Sequence, residues 1–310
     1  MHTNPEISVV IPVYRAETIL QELINQLNIA LSSLKVSYEI VLVDDRSPDD
    51  SWAKMKALSN EYDVVKSFRL SRNFGQHPAI MAGLHQSKGN WVVVMDCDLQ
   101  DQPHEIIKLY NKAQEGFEIV LAKRTARKDG LLKKISSKLF YKVFNFFAGV
   151  DINNEIGNFG IYQRKVIDSL FKLGDALVFF PLFIQWVGFK KTEISVDHAS
   201  RHEGKSSYSF LALFRLAFNT IISFSDKPLR LFLNLGIVIS FASFLGAIYI
   251  LYRALNNEIE VMGYSSIFIS ICFFSGLIIS FLGIIGIYLG KAFNQTKNRP
   301  IYIIDDVYHK

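Results

Sequence analysis

The sequence predicts an α/β fold with a mostly parallel sheet, followed by two apolar helices. Short apolar, β-branched runs alternate with helical patterns from the first residues, and strands that are hydrophobic on both faces and separated by helices are typical of parallel sheets. The expected strands are Ile7–Val13, Glu39–Val43, Val64–Leu70, Trp91–Met95 and Glu118–Ala122, and the expected helices lie around Thr18–Leu34, Trp52–Asn60, Ala79–Ser87 and Glu105–Glu115.

Two long stretches near the C-terminus predict membrane spans. No charged residue lies between Arg230 and Arg253, and none lies between Glu260 and Lys291. Each stretch is long enough to cross a hydrocarbon core of about 30 Å as a helix. A pair of buried core helices is the alternative. We expect the two helices, which form a hairpin, at about 230–252 and 264–289.

The flanking charges predict the orientation of these spans. Lys227 precedes the first and Lys291 follows the second, whereas the connecting loop carries Glu258 and Glu260. Cations favour the cytoplasmic side, and the first residues do not read as a signal peptide. We therefore expect a multi-pass protein of the cell (inner) membrane with both termini in the cytoplasm. The expected domains are a cytoplasmic catalytic domain over residues 1–226, two spans within 227–291 and a cytoplasmic tail over 292–310.

Two aspartates follow the fourth expected strand. Asp96 and Asp98 are two residues apart, so in an extended chain their carboxylates point the same way and can converge on one hard cation and the phosphates it bridges. Asp44 and Asp45 also stand at a strand end, and ligands of parallel α/β sheets bind outside the carboxyl ends of the strands. The pattern favours Mg²⁺ or Mn²⁺ with a nucleotide diphosphate over a plain acidic loop.

Two other classes of phosphate-binding protein do not fit. No Gly-Xaa-Gly-Xaa-Xaa-Gly follows the first strand, where the chain reads Pro12–Arg15. Gly204–Ser206 resembles the end of a P-loop, but Ala199 stands where the first glycine of that loop belongs. A dinucleotide oxidoreductase and a P-loop ATPase are therefore disfavoured.

Five segments occur in a characteristic order along the chain. They are Val9–Tyr14 (VVIPVY), Val43–Ser47 (VDDRS), Ser71–Gln76 (SRNFGQ), Asp96–Asp101 (DCDLQD) and Arg201–Tyr208 (RHEGKSSY). Together they resemble the inverting GT-A glycosyltransferases of family 2, and more narrowly the polyisoprenyl-phosphate glycosyltransferases, the group of bactoprenol glucosyltransferase and dolichyl-phosphate mannose synthase. The resemblance covers most of the chain. It implies a Rossmann-like GT-A domain that transfers one sugar, with inversion, from a nucleotide sugar to undecaprenyl or another polyprenyl phosphate, with a UDP-linked donor favoured.

The resemblance also implies roles for individual residues near the donor. Asp45, together with Asp44, would bind the base or ribose of the nucleotide sugar. Pro12, Tyr14 and Asp96 would complete that pocket. Asp98, helped by Asp96, would hold Mg²⁺ or Mn²⁺ against the diphosphate, which makes both aspartates catalytic. A turn or helix N-cap before Trp52 is the alternative for Asp44 and Asp45.

A second cluster is expected to bind the acceptor. Arg201, Lys205, Ser206 and Tyr208 lie in the segment that resembles the family's phosphate-binding loop. An anionic acceptor needs fixed cations and hydroxyl donors, and the planar fork of arginine suits phosphate oxygens. A solvated basic loop is the alternative.

The chain departs from the family pattern at Glu155–Gly160. Relatives commonly show an acidic residue, a small residue and then Gly-Asp-Phe-Arg, whereas this chain has Asn158 and Gly160 in place of the second acid and the arginine. Glu155 is the candidate for the catalytic base. A phosphate monoester with a second pKa of about 6 is largely a dianion at neutral pH, so our hypothesis gives Glu155 a supporting role.

Two amphipathic or apolar segments predict contact with the membrane surface. Leu131, Ile135, Leu139 and Val143 recur every four residues while lysines take another face, which predicts an interfacial helix at about 131–148. A core-facing helix is the alternative. A second interfacial helix is expected at about 208–225.

The expected partners are the donor nucleotide sugar, a polyprenyl phosphate and the lipid bilayer, without nucleic acid. A homo-oligomer is left open. Two other functions also stay open: a membrane-anchored transferase with a glycan or another lipid as acceptor, and a non-catalytic lipid-carrier or scaffold subunit.

Overall fold

The computed structural model describes residues 4–124, 147, 156–175, 179–197, 225, 227–256 and 263–309. The five strands and four helices expected in the first part of the chain are confirmed, each close to its expected bounds. The strands are β1 (Ile7–Val13), β2 (Tyr38–Asp44), β3 (Val65–Leu70), β4 (Trp91–Val94), β5 (Ile119–Arg124), β6 (Ile156–Gln163), β7 (Lys191–Val196) and β8 (Ile304–Tyr308). The helices are α1 (Leu20–Ser33), α2 (Ser51–Glu61), α3 (Gln76–Gln86), α4 (Glu105–Ala113), α5 (Arg164–Leu170), α6 (Phe180–Trp186), α7 (Lys227–Leu255) and α8 (Tyr264–Thr296).

All eight described strands belong to one sheet, in the order β7-β5-β6-β4-β1-β2-β3-β8. Strands β4, β1, β2 and β3 pair in parallel, and so do β5 and β7. Strand β6 runs antiparallel between β4 and β5, and β8 runs antiparallel along β3. The expected mostly parallel α/β sheet is therefore confirmed.

Helices cover both faces of the central strands, which explains why β1 is apolar at almost every position. Val9 and Ile11 belong to a core that also contains buried side chains of α1, α2 and α4. Val10 points to the other face, where α3 packs so closely that a Cβ on Gly83 would lie 2.4 Å from Val10 Cγ1. A strand buried on both faces reads as a continuous hydrophobic run.

The chain order of the parallel strands reverses beside β1. This strand lies between β2 and β4. Ligands of open α/β sheets bind at such a reversal, outside the carboxyl ends of the strands.

A buried carboxylate lies at the amino end of β2. Glu39 accepts hydrogen bonds from Ser8 Oγ at 2.7 Å, Lys66 Nζ at 2.6 Å and the Lys88 backbone N–H at 2.6 Å. Ser8 Oγ in turn accepts the Gly89 N–H at 2.7 Å. Burial by itself would raise the pKa of Glu39, but these hydrogen bonds outweigh it, so the pKa lies below its ordinary value of 4.5.

Glu39→Gln is expected to destabilise the chain by about 1–3 kcal/mol at neutral pH, because Lys66 loses a charged partner in a mostly buried setting. A lowered pKa means that the carboxylate stabilises the fold fully above pH 4.5 and that this stabilisation is lost as the pH falls below that value. The difference in apparent Tm between the variant and the wild type, measured on the detergent-solubilised full chain, should therefore shrink on acidification. Glu22→Gln on the exposed face of α1 is the control, and a constant difference at all pH values would contradict the expectation.

Among the described residues, two helices have the length and composition needed to cross a membrane. The apolar windows are Lys227–Gly246 and Phe273–Thr296, and none of either window is buried. The helices pack against each other at Phe232 and Phe281, whose ring centroids are 5.7 Å apart. Their bounds enclose the spans expected at about 230–252 and 264–289, so the expected apolar hairpin is present. Its orientation stays a prediction.

The segment expected as a cytoplasmic tail over residues 292–310 contains the end of a helix and a strand. Helix α8 continues to Thr296, and β8 then adds to the edge of the main sheet. The chain divides into two compact units, and Arg299–Lys310 belongs to the unit that contains the sheet. The interfacial helices expected at about 131–148 and 208–225 lie almost entirely outside the described residues.

Candidate functional site

Three loops meet at the carboxyl edge of the central strands. The register pairs Pro12 with Val43, and the Asp45 N–H donates to Val13 O at 2.9 Å. On the other side of β1, the Met95 N–H donates to Val10 O at 3.2 Å. These bonds bring the ends of β1, β2 and β4 together, and with them the residues that the sequence singles out: Pro12, Tyr14, Asp44, Asp45, Asp96 and Asp98.

Each of these three loops contains a non-glycine residue in the left-handed backbone region. The φ angles are 54° at Arg15, 56° at Arg46 and 56° at Leu99. Such conformations are uncommon and cost free energy, and they cluster at binding and catalytic sites because neighbouring structure enforces them. Three of them at one end of the sheet make it a candidate functional site.

Side chains of the β2–α2 loop hold the loop that follows β1. Ser47 Oγ accepts the Arg15 N–H at 3.2 Å, Ser51 Oγ accepts the Ala16 N–H at 3.0 Å, and Asp49 Oδ2 accepts the Glu17 N–H at 3.4 Å. Pro12 is buried in β1, whereas Tyr14 is 44% exposed, with the Arg15 guanidinium 5.4 Å from its ring centroid. Tyr14 is thus an exposed aromatic side chain at this end of the sheet.

Asp44, the last residue of β2, makes structural contacts. Its side chain is fully buried, its Oδ1 accepts the Ser47 N–H at 2.9 Å, and its Oδ2 lies 3.2 Å from Arg69 Nε. This is the turn that was the alternative interpretation for Asp44. A direct contact of Asp44 with a donor stays a prediction, and the described contacts make it a residue that shapes the loop.

Asp45 joins two of the family-like segments. Its Oδ1 accepts the Phe74 N–H at 2.7 Å and its Oδ2 accepts the Gly75 N–H at 2.8 Å. Gly75 has φ +100° and immediately precedes α3, so a residue with a side chain would be strained there. The carboxylate of Asp45 therefore sets the path of the Ser71–Gln76 segment.

The charge on Asp45 is costly for the fold. Burial raises its pKa above the ordinary value of 3.8, and the charge of Asp44 adds to this, while the N–H groups of Phe74 and Gly75 act in the opposite direction. A raised carboxyl pKa means that ionisation costs folding free energy as the pH rises through it. Charges held against such a cost are typical of functional sites.

Asp96 and Asp98 are half-buried on the loop after β4. Asp96 Oδ1 accepts a hydrogen bond from Gln76 Nε2 at 2.7 Å, and Asp98 Oδ1 accepts the Gln100 N–H at 3.2 Å. These are oxygen donors, close in sequence and held by neighbouring amides, and such a set fits Mg²⁺ or Mn²⁺ rather than a softer metal. Gln76, the first residue of α3, was not singled out for a role, although it ends the segment Ser71–Gln76.

Two titratable groups beside these loops are electrically neutral at neutral pH. Burial, together with the charge of Asp96, raises the pKa of the Cys97 thiol to about 12. Burial lowers the pKa of His77 to about 4, and its ring packs edge-on against Phe179 at 4.7 Å. Neither group therefore contributes a charge to this end of the sheet.

The structure explains why Gly160 departs from the family's arginine. Gly160 lies on β6, opposite Val94 and Leu121. A Cβ at this position would lie 2.8 Å from the Tyr162 hydroxyl and 2.9 Å from Val120 O. A larger side chain therefore has no space beside Tyr162. Because β6 runs antiparallel to β4, Asn158 lies towards the end of β4 from which Asp96 follows.

A buried glutamate that the sequence pattern did not single out connects the start of α4 to Asp197, the residue after β7. Glu105 begins α4 and is fully buried, and its Oε1 accepts Lys108 Nζ at 2.8 Å and the Asp197 N–H at 3.4 Å. His104 Nε2 lies 3.3 Å from the same oxygen. A charged residue inside an apolar helix pattern was the available signal. Glu155, Arg201, Lys205, Ser206 and Tyr208 lie outside the described residues, and their roles stay predictions.

Comparison with known proteins agrees with this fold. The family model described as "Glycosyl transferase family 2" matches residues 8–171. The uncharacterized glycosyltransferase YkcC of Bacillus subtilis (strain 168) is 35% identical over 309 residues, with 99% of this chain and 96% of the relative covered. The undecaprenyl-phosphate 4-deoxy-4-formamido-L-arabinose transferase of Salmonella choleraesuis (strain SC-B67) is 36% identical over 309 residues, with 97% and 93% covered.

A solved structure supports the fold alone. Glucosyl-3-phosphoglycerate synthase from Mycobacterium tuberculosis, in complex with Mn²⁺, uridine diphosphate and glucosyl-3-phosphoglycerate, has a TM-score of 0.52 at 16% identity, and the likeness covers 72% of this chain and 80% of that one. The expected resemblance is therefore confirmed at the level of family and architecture. This chain belongs to glycosyl transferase family 2 and is a glycosyltransferase with a GT-A fold.

Proposed function

We propose that the protein transfers one sugar from a nucleotide-sugar donor, UDP-linked, to undecaprenyl or another polyprenyl phosphate, with inversion at the anomeric carbon. The observation that carries the proposal is the convergence of Asp45, Asp96 and Asp98 at the strand reversal beside β1. The acceptor is supported by the relative from Salmonella, which is named as an undecaprenyl-phosphate transferase and aligns over 97% of this chain.

The donor half of the site lies on the β1 and β2 side. Tyr14 offers an exposed aromatic surface for the nucleotide, and stacking on such surfaces is tolerant of the base. Asp45 holds the Ser71–Gln76 segment and contacts the base or ribose. Asp44 shapes the Asp44–Ser47 loop through Ser47 and Arg69. Pro12 completes the pocket wall from within β1.

The diphosphate half lies at the β4 loop. Asp98, helped by Asp96, holds Mg²⁺ or Mn²⁺, which when bound would neutralise charge on the departing nucleoside diphosphate. Gln76 orients the carboxylate of Asp96 by its hydrogen bond of 2.7 Å. The polar part of this site is therefore prearranged by the chain itself.

The reaction is a single displacement. An oxygen of the lipid phosphate attacks the anomeric carbon, and the bond from that carbon to the nucleotide breaks, with its electron pair leaving on the diphosphate. The attacking phosphate is largely dianionic at neutral pH, since its second pKa is about 6, so no proton has to be removed from it. Arg201, Lys205, Ser206 and Tyr208 bind this phosphate, and Glu155 has a supporting role.

The same proposal places the chain at the cytoplasmic face of a cell membrane. Residues 227–291 provide two spans, residues 1–226 provide the catalytic domain, and the interfacial helices at about 131–148 and 208–225 lie against the headgroups. The uncharged lengths of α7 and α8 support the spans. An acceptor with a polyprenyl tail is embedded in the bilayer, so a transferase that uses it must work at the membrane surface.

The test is release of nucleoside diphosphate by the purified full chain in detergent. A panel of sugar nucleotides would be assayed with and without undecaprenyl phosphate, and with Mg²⁺, Mn²⁺ or EDTA. We expect release that requires the lipid phosphate and a divalent cation, together with a lipid-linked sugar of inverted configuration by NMR. Lipid-independent transfer to a glycan would overturn the acceptor, and folded protein that binds none of the donors would indicate a non-catalytic role.

A further inference from the structure

The C-terminal strand is held to the sheet by a pairing with one irregularity. Strand β8 pairs with β3 in a register that matches Leu70 with Ile304 and Arg69 with Asp306. Asp305 is therefore an extra residue without an opposite partner on β3. An extra residue in an antiparallel pair is a β-bulge, and bulges beside active sites redirect a side chain.

The redirected side chain reaches the loop that contains Asp45. Asp305 Oδ2 lies 2.7 Å from Arg46 Nη1, although the two residues are 259 positions apart in the chain. Arg46 has the left-handed φ of 56° and stands directly after Asp45. The ion pair thus contacts a residue in a strained backbone conformation, next to Asp45 in the chain.

The residues before the bulge contact the Ser71–Gln76 segment and α3. Ile303 O accepts the N–H of Ser71, the first residue of the Ser71–Gln76 segment, at 2.9 Å. The Tyr302 hydroxyl lies 3.0 Å from His85 Nδ1 on α3, the helix whose first residue binds Asp96. Consecutive residues of one short segment therefore contact both loops that Asp45 joins and the helix that orients Asp96.

We infer that the C-terminal segment Tyr302–Asp305 is a positioning element of the donor site and that Asp305 is its positioning residue, acting through Arg46. This inference rests on the proposed function for the identity of the ligand, a sugar nucleotide. It also means that the chain returns from the second apolar helix into the sheet unit. Residues that follow the membrane hairpin in sequence thereby hold the loops that receive the donor.

The first experiment measures donor affinity on full-chain variants in detergent, by titration with UDP-glucose and the other sugar nucleotides of the panel. Asp305→Asn is expected to weaken binding about two- to fivefold, the effect of one partly exposed ion pair. Asp306→Asn is the matched control, with the same charge change one residue away, and should bind as the wild type does. A chain that ends at Asn298 should bind about tenfold more weakly or worse, because it also lacks the backbone contacts.

The charge-reversed pair separates a specific contact from general loss of charge. Arg46→Asp alone should weaken binding, and combining it with Asp305→Arg should restore affinity to near the wild-type value. Combining Arg46→Asp with Asp306→Arg restores the same net charge without the ion pair, and this combination should not restore affinity if Asp305 acts through its contact with Arg46. This pair also keeps the inference open to refutation if the shortened chain does not fold.

A second readout needs no ligand and separates this inference from the proposed function. Hydrogen exchange of the Ser47, Phe74 and Gly75 amides should quicken in Asp305→Asn and remain unchanged in Asp306→Asn. If the wild type binds no sugar nucleotide, the proposed function fails while the exchange result still decides the positioning role. Wild-type donor affinity and unchanged exchange in both Asp305→Asn and the folded shortened chain would overturn the inference.

Discussion

Replacing Asp98 by asparagine is expected to lower sugar transfer by about a hundredfold or more, the loss seen when one strong electrostatic contact to developing charge is removed. The substitution keeps the size of the side chain and its Oδ1 acceptor for the Gln100 N–H, so the fold should persist. It removes the negative charge that binds a divalent cation. The measurement is the initial rate of lipid-linked sugar formation across a range of Mg²⁺ and Mn²⁺ concentrations.

Two controls define the meaning of that result. Asp50→Asn makes the same chemical change at an exposed position that forms no side-chain capping bond, and its rate should match the wild type. Asp98→Glu keeps the charge and should retain more activity than Asp98→Asn at high Mn²⁺ concentration. A rate for Asp98→Asn within a few-fold of the wild type, in protein whose activity EDTA does not affect, would show that this aspartate holds no metal.

Asp45→Asn is expected to weaken donor binding by roughly ten- to a hundredfold. Both carboxylate oxygens of Asp45 accept backbone N–H groups, at 2.7 Å from Phe74 and 2.8 Å from Gly75. An asparagine side chain has one oxygen, so one of these two backbone N–H groups would face the side-chain NH₂ group instead. An unsatisfied buried polar group costs about 1–3 kcal/mol, so the Ser71–Gln76 segment should relax in the free variant. Donor binding must then restore the segment at that cost, and about 1.4 kcal/mol is tenfold in affinity.

Calorimetric titration with a sugar nucleotide measures this effect directly. Asp50→Asn again serves as the control, since it lies on the same β2–α2 connection and is exposed. Amide exchange at Phe74 and Gly75 should rise in Asp45→Asn even without a donor. Weaker binding with unchanged exchange would mean that Asp45 contacts only the nucleotide, and unchanged binding would remove it from the donor site.

Local sequence patterns predicted the central strands because those strands have a simple physical requirement. Strand β1 is buried on both faces, so nearly every residue from Ile7 to Val13 is apolar. The expected positions of Asp45 and Asp98 at one edge followed from the parallel direction of the strands alone. For these elements the local pattern and the tertiary environment agree.

The remaining strands depend on pairing partners far away in the chain. Strand β8 has the pattern Ile-Asp-Asp-Val-Tyr with an exposed centre, which carries little hydrophobic signal. Its stability comes from hydrogen bonds along β3 and from contacts such as that of the Tyr308 hydroxyl with Asn60 Oδ1 at 3.0 Å. A pattern of local hydrophobicity does not reveal an edge strand of this kind.

Local sequence patterns were enough to predict the α/β class, the apolar hairpin and the acidic residues at the strand ends, because the order of apolar and charged residues reflects burial and strand direction. The tertiary structure decided which groups those acidic residues contact. Asp44 binds Ser47 and Arg69, Asp45 binds the backbone of residues 74 and 75, and Asp305 reaches Arg46. Hydrogen bonds and ion pairs depend on distances of a few tenths of an ångström between distant segments, and only the packed sheet brings those segments within reach.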